Sequence, residues 1–219
     1  METNNKIYQL KISLVDAKPP IWRRIEINTN ATFADLHNCI QAVMDWDDSH
    51  LFQFKAKETE AHLLKSFAEE GHTEDIDAAT LKVLIAKDAS IGLIDEYADY
   101  LDYNADEEYL NEWLMEENQK IKYEYDFGDN WKHSIVLEKV LDATESVTYP
   151  RLITGEGAAP CDDCGGLWGY YAIVKAAKNP KDPDHEEAIT WFDKDWDLAK
   201  FDLEEATERL KNAFTNDEE

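Results

Sequence analysis

Cations are the first shortage. The 219 residues hold 22 Lys and Arg against 48 Asp and Glu, a formal net charge of −26. Nucleic-acid binding gains most of its affinity from Lys and Arg displacing counterions, so this chain repels phosphate backbones and anionic membrane surfaces. The cluster Lys18, Arg23 and Arg24 in "KPPIWRRIEI" is too small to offset that charge at long range. Cysteine is also scarce: Cys39, Cys161 and Cys164 are too few for a disulfide scaffold and fit a reducing cytoplasm. No run of about 18 apolar residues occurs, so no membrane-spanning helix is expected. The opening "METNNKIYQL" lacks the apolar core of a signal peptide, which again points to the cytoplasm.

What is present can build a core. Hydrophobic residues make up 43% and aromatics 11%, and seven Trp and ten Tyr argue against disorder despite the charge. In "IYQLKISL", Tyr8, Leu10, Ile12 and Leu14 alternate with polar residues, the period of a half-buried strand. "DAKPP" breaks it, and "IWRRIEI" follows as a second strand with Ile21, Ile25 and Ile27 on one face beside Arg23. A helix comes next: Thr32 is a good N-cap, Asp35 lies three residues on, and Phe33, Leu36, Ile40 and Val43 share one face. A third strand runs from Leu51 to Ala56.

Residues 58–118 are acidic, lack proline, and read as a mostly helical insertion held to the sheet by Leu63, Leu64, Phe67, Leu110, Trp113 and Leu114. "LKVLIA" within it reads as a further strand. The stretch "YEYDFGDNWKHSIVLEKV" is a hairpin. Ile121, Tyr123, Tyr125 and Phe127 share one face, Lys122, Glu124 and Asp126 the other, and "GDN" supplies turn residues that tolerate positive φ. After a loop, "RLITGEGAAPCDDCGG", helices are expected at Leu167–Lys178, in a proline-bounded turn near 179–192, and near the end. The expected fold is α+β: a mixed, mainly antiparallel, β-grasp-like sheet with helices on one face. Residues 1–219 form one domain with its core at about 6–57 and 119–213 and an acidic helical insertion at about 58–118.

Four blocks, "PPIWRRI", "LHNCIQAVMDWDDSHLFQF", "YEYDFGDNWKHSIVLE" and "YPRLITGEGAAPCDDCGGLWGYY", follow one another in this order. Together they resemble the plasmid pRiA4b ORF-3-like family over about residues 6–205. The resemblance implies an α+β domain carried by plasmids, transposons and prokaryotic chromosomes, and it brings no reaction with it. Ala159 stands where family members often have a cysteine.

Cys161 and Cys164, in C-x-x-C spacing, offer two of the four ligands of a zinc, and His133 or His50 would have to complete the set. Asp162 and Asp163 between the thiols oppose a thiolate and hence redox chemistry. The plainer reading is a loop packed by small residues, with Gly165 and Gly166 admitting close backbone approach. Asp126, Asp129, His133 and His50 form a possible acid/base or hard-metal group, yet the same residues suit turn caps and a half-buried histidine. Trp22, Arg23 and Arg24 read as a strand whose Trp packs and whose arginines pair with carboxylates, and His37, His62, His72 and His185 as solvated or capping.

The expected function is a non-catalytic cytosolic interaction module, associated with mobile elements, that binds a protein partner with a basic surface. The alternative is a metal-dependent hydrolase or metal-binding protein. The candidate surface is Trp46, Asp48, His50, Asp126, Asp129, Trp131, His133, Asp162, Asp163, Gly165, Gly166 and Tyr170, where "DDSH", "DFGDNWKH" and "CDDCGG" converge. No residue is assigned a catalytic role. No cofactor is expected; a divalent metal such as zinc on Cys161, Cys164 and His133 is the alternative.

Overall fold

The computed structural model describes residues 6–60, 62–64, 88–93, 100–192 and 197–215. β1 (Lys6–Leu14) and β2 (Trp22–Asn28) pair as the expected antiparallel hairpin, from Ile7 opposite Asn28 to Ser13 opposite Trp22. α1 (Phe33–Met44) begins with a complete capping box: Asp35 N donates to Thr32 Oγ1 at 3.1 Å and Thr32 N to Asp35 Oδ2 at 2.8 Å. Its buried face holds Phe33, Leu36, Ile40 and Val43, the positions that the helical spacing picks out. β3 (Phe52–Lys57), β6 (Lys120–Tyr125) and β7 (Trp131–Asp142) complete the middle of the sheet.

With β4 at Asp88–Gly92, β5 at Tyr103–Asn104 and β8 at Arg151–Glu156, the described residues form an eight-stranded sheet in the order β5-β4-β3-β6-β7-β1-β2-β8. Every pairing is antiparallel except that of β4 with β5. Full burial of Leu10, Ile12, Ile25, Ile135 and Leu137 contributes about 1.5–3 kcal/mol each.

Both edges differ from the sequence reading. The described part of 58–118 is not only helical: β4 (Asp88–Gly92) pairs with β3, and β5 (Tyr103–Asn104) extends the edge. The short α2 (Leu110–Trp113) follows. Leu63, Leu110, Trp113 and Leu114 are buried, while Leu64 is half exposed. Phe67 and "LKVLIA" lie outside the described residues. At the far edge "RLITGE", read as loop, is strand β8 (Arg151–Glu156), hydrogen-bonded to β2. Only Leu152 of its six residues is buried, so it has no alternation to detect.

The chain ends in α3 (Gly166–Ala177), α4 (His185–Ala188) with a 3₁₀ turn at Ile189–Trp191, and α5 (Leu203–Ala213). α5 is tied to the end of α1, where Arg209 Nε donates to the Ala42 carbonyl at 3.1 Å and lies 3.2 Å from Asp45 Oδ1. Among the described residues no helix is long and apolar enough to cross a membrane.

Candidate functional site

Three turns meet at one end of the β6–β7 hairpin, and local chemistry shapes each. α1 stops where Asp45 takes a left-handed backbone at φ 60°, and Asp48 repeats it at φ 59°. Asp tolerates this region better than most residues because its short side chain bonds locally. The hairpin turn opens with Asp126 at φ 51° and closes with Asn130 at φ 60°. Asp126 Oδ1 accepts from Gly128 N at 2.8 Å, and Asn130 N donates to the Asp126 carbonyl at 2.6 Å. The strand alternation therefore ends at Tyr125, one step early: Asp126 is buried and Phe127 is exposed. In the third turn Asp163 has φ 55°, Gly165 φ 85° and Gly166 φ 68°. Gly165 N donates to Asp129 Oδ2 at 2.9 Å, and a Cβ on Gly166 would lie 2.4 Å from the Asp129 carbonyl oxygen. Glycine is what lets the third turn close on the hairpin.

The open side of this junction is acidic. His50 Nε2 lies 3.0 Å from Asp163 Oδ1 and 4.0 Å from Asp126 Oδ2. The shorter approach is off the line of a hydrogen bond. Tyr125 donates its hydroxyl proton to Asp162 Oδ2 at 3.1 Å. Burial pushes the Asp162 carboxyl up from its usual range, while hydrogen bonds from Ser49 hold Asp47 down. Asp48 turns away, its Oδ1 2.7 Å from His37 Nε2.

The other candidates form a buried floor. Trp46 stacks on Tyr125 with ring centres 5.1 Å apart, and its Nε1 donates to the Pro160 carbonyl at 3.0 Å. Trp131 and His133 lie 5.7 Å and 5.6 Å from Trp46. Tyr170 is fully buried. His133 is 1% exposed rather than half-buried, with Nδ1 3.2 Å from the Trp131 carbonyl. Burial pulls its pKa down to about 3, so the ring is neutral and faces core aromatics rather than sharing a proton with Asp126.

The cysteine-based metal set is not assembled. Among the described residues two groups bring three possible donors within 4.8 Å of one another, His50 with Asp126 and Asp162, and His62 with Glu108 and Glu112. Neither contains Cys161, Cys164 or His133. Cys161 Sγ donates to the Trp191 carbonyl at 3.4 Å. Burial pushes both thiols up, Cys164 to about 12, so neither is a thiolate at neutral pH.

Sequence reasoning missed four side chains. His37 is buried, joins the Tyr123 hydroxyl at 2.8 Å and stacks on Phe52 at 3.6 Å; its spacing from Phe33 and Ile40 is the signal that places it inside. His62 is also buried, 3.2 Å from Glu108 and stacked on Trp113 at 4.1 Å. His185 Nδ1 lies 3.0 Å from the Ala176 carbonyl, a capping role, and His72 falls outside the described residues. Arg24 pairs with Glu138 through two hydrogen bonds of 2.6 Å and 2.9 Å, as expected, but Arg23 is buried with no carboxylate partner among the described residues. Trp168, on the first turn of α3, is 91% exposed. It borders a groove of about 630 Å³ between α3 and the β1–β2 turn, lined by Val15, Lys18, Asp129, Leu167 and Tyr171 among others.

The class this architecture defines is a mixed α/β protein on one eight-stranded, mostly antiparallel sheet. Residues 6–205 match the model of the plasmid pRiA4b ORF-3-like protein family, and the chain belongs to that family. It is 29% identical over 185 residues to the uncharacterized protein y4hQ of Sinorhizobium fredii, covering 84% of this chain and 80% of that one. The crystal structure of MM3350, a protein of unknown function from Methanosarcina mazei Go1, has the same fold. Its TM-score is 0.74 at 32% identity, over 92% of this chain and 98% of that chain.

Proposed function

We propose that this protein is a non-catalytic interaction module that grips a protein partner with a basic surface. Trp168 carries the reading. A tryptophan 91% exposed on a helix is the kind of rigid aromatic anchor that concentrates binding energy. The groove beside it supplies an apolar seat, edged by Asp16 and Asp129 and by Lys18 and Lys132. With a net charge of −26, the chain attracts a basic partner and repels an acidic one.

Three finer readings accompany this one. The cytoplasm is the compartment that three free cysteines suit. An association with mobile elements is supported by membership in a family named for a plasmid reading frame. The order β1-β2-α1-β3 supports a β-grasp-like core, one domain in which 58–118 is an insertion.

The test is capture from host lysate on the immobilised full chain, wild type beside Trp168→Ala. We expect a basic protein held by the wild type, released by salt, and bound at least about 30-fold more weakly by the variant. Identical eluates from the two proteins would reject the reading. The rival reading is a metal-dependent hydrolase, whose ion would sit on His50, Asp126 and Asp162. Elemental analysis of chelator-free protein that finds no divalent ion in stoichiometric amount removes it.

A further inference from the structure

Arg23 is the least ordinary charge in the molecule. It alternates in phase with Ile21, Ile25 and Ile27, so β2 carries it inward, where it is 2% exposed. Its hydrogen bonds go to backbone carbonyls: Nε to Val43 at 2.9 Å, and Nη1 to Trp22, Glu156 and Gly157 at 3.0, 3.1 and 3.1 Å. Phe201 stacks on the guanidinium, its ring centre 3.9 Å away. The other terminal nitrogen, Nη2, donates to nothing among the described residues. Arg23 nonetheless borders open space. A buried charge held only by carbonyl dipoles is costly, because dipoles compensate it less fully than an opposite charge. Burial, with Arg209 adding to it, pulls the Arg23 pKa down to about 9.

That space is a cavity of about 800 Å³, within the usual size range of small-molecule sites. It shares no lining residue with the groove beside Trp168. Its second arginine, Arg209, is already neutralised by Asp45 at 3.2 Å and Glu205 at 3.0 Å. Trp191 and Phe201 give the wall an aromatic part, and Asp45, Asp162, Asp197, Asp202 and Glu205 outnumber its one lysine, Lys200, and two arginines.

We propose that this cavity binds a free amino acid with an apolar side chain, its carboxylate on Arg23 Nη2 and its ammonium group toward the wall carboxylates. The ligand charge follows from the lining. A phosphate ester would bring about two negative charges past Asp197 and Asp202 into a chain of net −26, whereas a zwitterion brings none. A lone amine would leave Arg23 without its counter-ion. Phe201 and Trp191 accept the apolar side chain.

Calorimetric titration of the full chain with free amino acids tests the assignment, using L-phenylalanine, L-leucine and L-methionine as probes. At least one should bind. Its methyl ester, which lacks the carboxylate, and its N-acetyl derivative, which lacks the ammonium group, should each bind at least about tenfold more weakly. Arg23→Gln should lose binding while Trp168→Ala keeps it. Should Arg23→Gln fail to fold, the ester comparison on the native protein decides alone. No binding of any probe at about 10 mM, or ester affinity equal to that of the free amino acid, overturns the proposal. Equal affinity of the N-acetyl derivative overturns the zwitterionic assignment.

Discussion

The residues around the three turns fall into two layers, and the layers obey different physics. Trp46, Trp131, His133 and Tyr170 are a dry floor, each 7% exposed or less. His50 and Asp162, half-buried, and Asp163 and Trp168, exposed, are the rim. Both layers come from the same short motifs. In "DNWKH", Asp129 belongs to the turn, and Trp131 and His133 point inward two residues apart while Lys132 between them points out. The lesson is that a motif rich in Asp, His and Trp is not thereby a site: the strand period assigns half of it to the scaffold. The rim alone can meet a partner.

The sharpest way to break this division is to delete part of the floor. Trp131→Ala removes a fully buried indole from among Trp46 and the core strands. It should cost about 3–5 kcal/mol, read as a lower midpoint in urea unfolding. A loss under about 1 kcal/mol would mean that Trp131 is not scaffold.

The next effect depends on pH. His133 has its folded-state pKa pulled down to about 3 from the ordinary 6.5 by burial. The folded state thus resists the proton that the unfolded state accepts. Stability is fully present above about pH 6.5 and falls as pH drops from there toward about 3, with about 2 kcal/mol lost by pH 5. Unfolding measured at pH 7 and pH 5 on wild type and His133→Gln should show the variant losing less over that interval. Equal losses in both proteins would place His133 in contact with water and collapse the two layers into one.

Much of this was readable from sequence because two signals are strong. Thr32 and Asp35 announce the start of α1, and alternation in "IYQLKISL" and "KYEY" fixes which side chains face in. β8 escapes because an edge strand with one buried residue carries no period, and β4 because "DASIG" is short, small-sided and set in an acidic stretch. Turn chemistry marks "DDSH", "DFGDNWKH" and "CDDCGG", but says nothing of how deep each side chain lies. Arg23 had its signal in phase with the isoleucines of β2, and charge hid it. Trp168 had none, since "LWGYYAIV" is apolar on every side and gives no direction outward.

The smallest effect has the opposite slope, which makes it the finest test of the rim. Burial raises the Asp162 carboxyl, next to Asp47 and the Tyr125 hydroxyl. A carboxyl whose folded-state pKa is raised binds its proton more readily folded than unfolded. Its contribution to stability is fully present below its unfolded pKa and fades as pH rises through the raised value. Relative to Asp162→Asn, the wild type should therefore gain stability as pH falls from 7 toward 4. Asp162 is partly open to solvent, and solvent screening keeps that gain small. His133 and Asp162 thus tilt the stability curve in opposite directions, one from each layer. Wild type losing ground to Asp162→Asn on acidification would show that the rim carboxyl is held ionised by a cation, and the rim would then be a paired rather than an open surface.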